Sequence, residues 1–354
     1  MTTAVSRPDA PLVSIVMPVK NGALYVCEAI DALLQQTFTD FELIVIDDGS
    51  TDATLELIKQ FSDSRITVVS QENQGVARAA NRGFALARGQ YISRHDHDDI
   101  SLPTRLAKQV AFLDNNPQCG LVGTRAQIWS GDRPTQRVHD HPSTPGVVAF
   151  ALLFNAPFVN TSCLFRRTVL TQVGMYTTDP ARSNPEDFEF FSRVARQFAV
   201  ANLSERLVYY REVPNSHSST LRSSTTDNVF QKDGFVARLA LFSAENLAAA
   251  VGISATSELA KQFGNLVHFR FNDLPSSVDI RAVLDLVKQA ATHFAREHHD
   301  DAVWPYWRER VQFLEYQYYT FMQSTFHWKR LRYLLRTRTW RENWASVRKL
   351  SLSA

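Results

Sequence analysis

The segment Asp96-His97-Asp98-Asp99 sets three carboxylates within four residues, a density suited to a hard divalent cation. Such a cation takes one or two protein carboxylates and completes its shell with phosphates and waters. Bound to a diphosphate, it would neutralise the charge that builds up as a bond to phosphate breaks. The turn Asp47-Asp48-Gly49-Ser50 offers carboxylate acceptors that could take the imide N–H of a uracil. Gly75 closes Asn73-Gln74-Gly75, ahead of Asn81-Arg82-Gly83, at a helix start where backbone can approach a ligand. Glu186-Asp187 opens a later helix, and one of the two could accept a proton from an attacking hydroxyl. Each motif also has a plain structural reading. The first is then an acidic turn capping the next helix, the second a bend with Gly49 and a Ser50 or Asp52 cap, and the last favourable charge at a helix N-terminus.

The elements that must position these groups alternate regularly over the first hundred residues. The β-branched run Val13–Val19 is followed by a helical pattern placing Leu24, Cys27, Ile30 and Leu34 on one face. Then come strand Glu42–Asp47, helix Ala53–Phe61, strand Ile66–Val69, helix Val76–Ala87 and strand Tyr91–Arg94. Short strands, apolar throughout and separated by helices, imply a parallel sheet covered on both faces. Right-handed crossovers make it a doubly wound α/β layer. Ligands bind such sheets beyond the carboxyl ends of the strands, and Asp47-Asp48 and Asp96–Asp99 sit at two of those ends. Ser101 is the expected N-cap of a helix running to about Asn115, with Pro103 in its first turn. Beyond Cys119 the pattern loosens, with a loop over Arg133–Pro145 and a helix over Pro185–Gln197. A Ser/Thr-rich stretch, Ser216–Thr226, resembles a hinge, and the chain beyond it reads as helix.

With 354 residues, 44% of them hydrophobic, the chain can bury a sizeable core, and a net charge of +2 gives no global case for nucleic-acid binding. Cys27, Cys119 and Cys163 have no metal-like spacing and fit a reducing compartment as small buried side chains. The polar start Met1–Pro11 lacks a secretion-signal core. The uncharged stretch Val147–Phe165 is interrupted by polar residues and by Pro157, and its continuous apolar part is too short to span a bilayer. The expected location is cytoplasmic, with contact to the inner face of the membrane left open.

Taken in order, Val16-Met17-Pro18-Val19-Lys20-Asn21-Gly22, Glu28, Asp47-Asp48-Gly49-Ser50-Thr51-Asp52, Gln71-Glu72-Asn73-Gln74-Gly75, Tyr91 through Asp99 and Pro185-Glu186-Asp187 resemble glycosyltransferase family 2. The stretch Ile100-Ser101-Leu102-Pro103 through Arg105 and Gln109, then Gly120–Thr124, looks like bacterial polysaccharide-building members. The resemblance covers residues 11–220, roughly three-fifths of the chain. It implies a GT-A fold, α/β and Rossmann-like, with a mostly parallel sheet flanked by helices and here a helical C-terminal extension. It divides the chain into a catalytic domain over 1–220, with a nucleotide-sugar half over 11–125 and an acceptor half over 126–220, and a helical region over 221–354. It implies inversion at the anomeric carbon, a nucleotide-sugar donor (a UDP-sugar), and a saccharide or lipid-linked glycan acceptor. Pro18, Val19 and Asn21 would line the nucleotide pocket with Glu28 behind them, Asp48 would hold the uracil, and Asp96 would contact ribose or phosphate. Asp98 would be the main ligand to Mn²⁺ or Mg²⁺. Asp187 would be the general base, with Glu186 beside it.

The chain departs from the family pattern in places. Ala80-Asn81 replaces an Ala-Arg-Asn run, with Arg78 the nearest arginine. A Tyr-Arg-x-His pattern reads Tyr210-Arg211-Glu212-Val213, with His217 four residues beyond Val213. His95 and His97 inside the acidic cluster are unusual, as tolerated loop residues or extra ligands. In the helical remainder Trp304, Trp307, Phe313, Tyr316, Tyr318, Tyr319 and Phe321 suggest an aromatic-rich helix pair serving as core or as a homo-oligomer contact. Phe326–Leu350 carries eight Lys or Arg among interleaved tryptophans. That pattern suits an anionic membrane surface or a solvated basic face. Three other functions compete: a non-catalytic sugar-nucleotide-binding scaffold, a nucleotidyltransferase, and a metal-dependent hydrolase built on His95–Asp98. Pro18–Gly22 is a poor match to the Gly-rich loop a nucleotidyltransferase needs, and the hydrolase lacks further histidine ligands.

Overall fold

The computed structural model describes residues 10–213, 229–275 and 278–325. The expected hinge, His217 and the basic segment 326–350 lie outside the described residues. Strand β1 (Val13–Val19) and strand β2 (Phe41–Asp48) are buried along their whole length, which is why neither shows a polar face. β1 pairs in parallel with β2 and with β4 (Tyr91–Arg94), and β2 pairs in parallel with β3 (Ile66–Gln71). The crossovers are α1 (Val26–Leu34), α2 (Thr54–Ile58) and α3 (Val76–Leu86).

On one face of the sheet, Ile15 and Met17 pack against Ile30 and Leu33 of α1. On the other face, Val16 meets Ala79, Ala80 and Phe84 of α3. This period-two division of β1 makes the layer doubly covered. The buried stripe of α1 is Val26, Ala29, Ile30 and Leu33. Leu24, expected on that face, is 79% exposed in the turn ahead of the helix. The Tyr25 and Val26 amides donate to the Gly22 carbonyl, so the helix begins later than the apolar spacing suggests and its face is rotated.

Past β4 the sheet becomes mixed. Strand β5 (Ile100–Ser101) is short, helix α4 spans Arg105–Asn115, and β6 (Cys119–Ser130) turns at Gly131 into β7 (Arg133–His139). The segment expected as a loop over Arg133–Pro145 therefore begins as an edge strand. Helix α5 (Pro145–Ala151), β8 (Leu164–Arg166), α6 (Arg167–Val173), α7 (Glu186–Ala195) and β9 (Ala199–Glu212) come next. β8 runs antiparallel to β4 and β6, and β9 lies parallel to β6 and antiparallel to β5. The nine-stranded order is β3-β2-β1-β4-β8-β6-β9-β5, with β7 on β6. Ser101 is a strand residue rather than the cap of α4, and its hydroxyl meets His95 Nε2 at 2.9 Å. The Leu106 amide in the first turn of α4 is satisfied instead by Gln36 Oε1 at 3.1 Å.

The remainder is helical: α8 (Val229–Val251), α9 (Glu258–Val267), α10 (Ile280–Glu297) and α11 (Val303–Thr325). Leu247, Phe263, Val283, Val287 and Leu314 from these helices form one core with Phe150 and Phe154 at α5 and just beyond it. The expected aromatic helix pair is the single helix α11, whose Trp304, Trp307 and Phe313 pack on that core. Gly234–Val251 in α8 is long and apolar enough to cross a membrane, and 39% of it is buried within the protein.

Candidate active site

The carboxyl ends of β1, β2, β3 and β4 meet along one edge and carry the motifs. The loops after β1 and β2 brace each other. Asn21, in the left-handed region at φ 51, accepts the Thr51 amide on Oδ1 at 2.8 Å, and its own amide donates to Ser50 Oγ at 2.9 Å. The Gly22 amide donates to Thr54 Oγ1 at 2.8 Å and the Ala23 amide to Asp52 Oδ2 at 3.2 Å.

Asp48, 3% exposed, accepts Gln71 Nε2 at 2.7 Å and the Gln74 amide at 2.9 Å on Oδ1, and the Gly75 amide at 2.8 Å on Oδ2. Its carboxylate thus shapes the loop after β3, leaving about one of roughly four acceptor positions for any base. Gly75 holds φ 90 at the N-terminus of α3, and a Cβ there would meet nothing within 4 Å. Pro18 and Val19 are buried strand residues, with Val19 in the core at 2% exposure. Asn21, by contrast, is exposed at this end.

The acidic segment leaves β4 between two tethers. The Asp96 amide donates to Thr161 Oγ1 at 3.0 Å, and Asp96 Oδ1 pairs with Arg94 at 2.7 Å. Asp98 is half-buried; burial raises its pKa, with Asp96 adding to the rise and His97 opposing it. Asp99 is 1% exposed. Its Oδ1 accepts the Arg211 amide at 2.8 Å, and burial, then Asp98 and Asp96, push its pKa well up. His95 is fully buried, and burial followed by the Arg105 charge lowers its pKa to about 3. It is therefore a neutral core residue. The His97 ring lies over Gly22, where an added Cβ would come within 2.4 Å of it, so Gly22 makes room for the acidic loop to fold onto β1.

Glu186 and Asp187 begin α7. Asp187 Oδ1 accepts the Phe188 amide at 2.7 Å. Burial, then the Glu186 charge, raises the Asp187 pKa to about 7, and Asp96 adds to the rise while Arg94 opposes it. Burial likewise raises Glu186, with Arg94 and Asp96 again acting on it. The fold thus brings Asp96 and Arg94 within electrostatic reach of a carboxylate pair ninety residues away in sequence.

α7 is itself held from behind. Glu189, 3% exposed, pairs with Arg193 at 2.8 Å and Arg182 at 3.5 Å. Glu245 on α8 takes Arg182 at 2.8 Å and Arg196 at 3.6 Å, and Arg238 donates to the Asn184 carbonyl at 2.7 Å. The helical region therefore buttresses the turn that presents Glu186 and Asp187.

Two arginines that lie within the sequence motifs, but to which the sequence assigns no role, join the site. Arg94 is 2% exposed. Arg211 is equally enclosed, donating to the Asp98 carbonyl at 3.0 Å, the Gly131 carbonyl at 3.0 Å and Glu28 Oε2 at 2.7 Å, with its guanidinium 4.2 Å over the Tyr25 ring. Glu28 is therefore not simply backing for a nucleotide pocket; it ties α1 to β9 and, through Arg211, to the acidic segment. The sequence signal for Arg211 is the pair Tyr210-Arg211. The signal for Arg94 is a cation directly ahead of the aspartates.

Among the described residues no three His, Cys, Asp or Glu side chains converge as a metal cage. The donor set on offer is carboxylate oxygen at Asp98, with Asp96 beside it. That set fits a hard cation sharing its shell with phosphate and water better than a nitrogen- or sulfur-loving metal. A cavity of about 380 Å³ at the opposite end of the strands, lined by Asp40, Glu42, Arg65 and Arg88, has its arginines paired with Asp63 and Glu42 and lies far from this edge.

The Glycosyl transferase family 2 profile matches residues 14–174. An uncharacterized glycosyltransferase of Haemophilus influenzae is 32% identical over 230 residues, covering 60% of this chain and 68% of that one. TuaG of Bacillus subtilis, named for teichuronic acid biosynthesis, is 29% identical over 215 residues, covering 59% of this chain and 82% of that one. The crystal structure of S. aureus TarS 1-349 in complex with UDP-GlcNAc aligns with a TM-score of 0.58 at 18% identity, covering 89% of this chain and 93% of that one. The architecture is accordingly GT-A-like, a mixed α/β sheet with flanking helices and a helical C-terminal region. The chain belongs to glycosyl transferase family 2 and is a glycosyltransferase.

Proposed function

We propose that this glycosyltransferase moves a sugar from a UDP-sugar to a saccharide or lipid-linked glycan in surface polysaccharide synthesis, with divalent-metal assistance and inversion at the anomeric carbon. The observation that carries the reading is the approach of Asp96, two residues from Asp98 in the acidic segment beyond β4, to Glu186 and Asp187 at the start of α7. The TarS complex holds UDP-GlcNAc, and TuaG is named for teichuronic acid biosynthesis; the first supports the donor class and the second the acceptor class. In this reading Asn21, the Gly75 backbone and the remaining acceptor site of Asp48 bind the nucleotide, and Asp96 faces ribose or phosphate. Asp98 is the residue that would hold Mn²⁺ or Mg²⁺, which supplies charge neutralisation for the departing diphosphate.

Asp187 accepts the proton of the acceptor hydroxyl as its oxygen bonds to C1 and the C1–O bond to phosphate breaks. A carboxylate poised at about 7 suits that work, because a base is most effective near the pH at which it operates. Glu186 positions the acceptor. The reading includes a catalytic unit over 1–220, a helical region over 221–354, and a cytoplasmic location at the inner face of the membrane. Product analysis tests it: UDP and an elongated glycan of inverted linkage are expected. Pyrophosphate would indicate nucleotidyl transfer, and the absence of turnover with any nucleotide sugar would favour a scaffold.

A further inference from the structure

We propose that Asn160 binds the sugar being transferred, its side-chain amide donating to an oxygen of that sugar between Asp96 and the base. The inference rests on the reading that Asp96 meets the donor nucleotide and Asp187 the attacking hydroxyl. Asn160-Thr161-Ser162 is the polar run that interrupts the apolar stretch ahead of β8, and it forms one turn of 3₁₀ helix. Thr161 and Ser162 are fully buried and committed to the protein. Thr161 Oγ1 takes the Asp96 amide at 3.0 Å. Ser162 Oγ donates to the Val159 carbonyl at 2.7 Å and takes the Thr124 amide at 3.0 Å.

Asn160 is the member of the turn left half-buried. Its Oδ1 accepts the Tyr176 hydroxyl at 3.1 Å. That tyrosine is 4% exposed, with its ring edge-on to Phe84 of α3 at 5.3 Å and to Phe190 of α7 at 5.1 Å. Its backbone is held as well: Asn81 accepts the Tyr176 amide at 3.0 Å and donates to the Tyr176 carbonyl at 2.8 Å. A ring so fixed also fixes the carboxamide it touches. An asparagine side chain carries one acceptor atom and two N–H donors. With Oδ1 taken by Tyr176, the donors sit on Nδ2, which meets no acceptor among the described residues and stays open to solvent. Asn81 and Asn202 make the contrast. The first spends both ends on Tyr176, and the second gives its hydrogens to the Pro142 and Pro157 carbonyls, each at 2.8 Å. The position is equally specific. Thr161, the next residue, anchors the start of the acidic segment, and Tyr176 lies against Phe190, one turn beyond Asp187 on the same side of α7. The open amide therefore stands between the residue that faces ribose or phosphate and the one that takes the acceptor proton. The transferred sugar occupies that interval, and its hydroxyls offer the oxygen an N–H donor needs.

The test is calorimetric titration of UDP, UDP-GlcNAc, UDP-glucose and UDP-galactose with Mn²⁺ on wild type, Asn160→Ala, Asn160→Asp and Tyr176→Phe, with turnover of Asp187→Asn measured alongside. Asn160→Ala is expected to bind UDP as wild type does, and to bind the sugar nucleotide that wild type turns over about three- to tenfold more weakly. Asn160→Asp keeps the acceptor for Tyr176 while losing the donors; it stands in should Asn160→Ala not fold, with its own UDP affinity as reference. Tyr176→Phe, which frees the amide to turn, should show a smaller loss of the same selective kind. A purely structural residue would not single out the sugar. Equal weakening of UDP and sugar nucleotide, or unchanged binding of both, overturns the inference while leaving the site assignment intact. Should wild type bind none of these sugar nucleotides, or Asp187→Asn keep full turnover, the reading of the site fails and the inference falls with it.

Discussion

Replacing Arg211 with Met removes a clamp whose cost can be worked from its contacts. The guanidinium is 2% exposed and gives hydrogen bonds to two carbonyls, Asp98 and Gly131, each at 3.0 Å. Each carbonyl loses a charged donor worth about 1.5–3 kcal/mol. The Glu28 carboxylate, half exposed at 50%, recovers water when its partner leaves, so that ion pair adds no more than about 1 kcal/mol. The sum is about 3–7 kcal/mol for Arg211→Met, against about 0–1 kcal/mol for Glu28→Gln. Thermal unfolding should show the first as a loss of roughly 4–9 °C and the second as little change. Because one lost partner is the Asp98 carbonyl, metal-dependent UDP binding should also weaken about tenfold, or ~1.4 kcal/mol. An Arg211→Met protein that melts with wild type would refute the clamp. Equally, a Glu28→Gln protein of normal stability that no longer binds nucleotide would show that Glu28 serves the ligand and not Arg211.

Asp187 is pushed up to about 7 by burial and then by Glu186, and a base works only when deprotonated. Turnover at saturating donor should therefore rise with pH to a plateau above about 7 and fall about tenfold per unit below it, measurable by UDP release across pH 5 to 9. Asp48→Ala orphans two backbone amides and the Gln71 amide. It should cost about 2–4 kcal/mol of stability by denaturant titration, whereas a residue touching only uracil would lose affinity alone. Glu245→Ala removes the acid shared by Arg182 and Arg196. With both arginines about one-third exposed, the stability loss should be only ~1–2 kcal/mol, but kcat should drop with donor KM unchanged, because α7 loses its support.

The nucleotide half is legible in the sequence because its strands are buried on both faces. Seven consecutive buried residues in β1 and eight in β2 leave no room for a polar alternation, so the run itself announces a parallel sheet, and its ends announce the site. The edge hairpin is not legible. β7 carries Arg133, Pro134, Gln136 and Arg137 exposed to solvent, and an edge strand with one face in water and few apolar residues has no periodicity to read. The start of α1 is misplaced by its apolar spacing because the amides of Gly22 and Ala23 are taken by Thr54 and Asp52 from the neighbouring loop, a tertiary contact no local pattern carries. The roles of Arg94 and Arg211 are hidden for the same reason. Arg211 reaches Glu28 across 183 residues and Asp98 across 113, and a sequence shows that a cation exists without showing which acids the fold sets around it.

Calorimetric titration of a UDP-sugar with and without Mn²⁺, on wild type, Asp98→Ala and Asp187→Ala, tests the central claim most directly. The account predicts metal-dependent binding that Asp98→Ala abolishes and Asp187→Ala retains, with turnover lost in both. Binding that is indifferent to metal and to Asp98, or that vanishes with Asp187, would contradict the assignment of the two carboxylates to donor and acceptor.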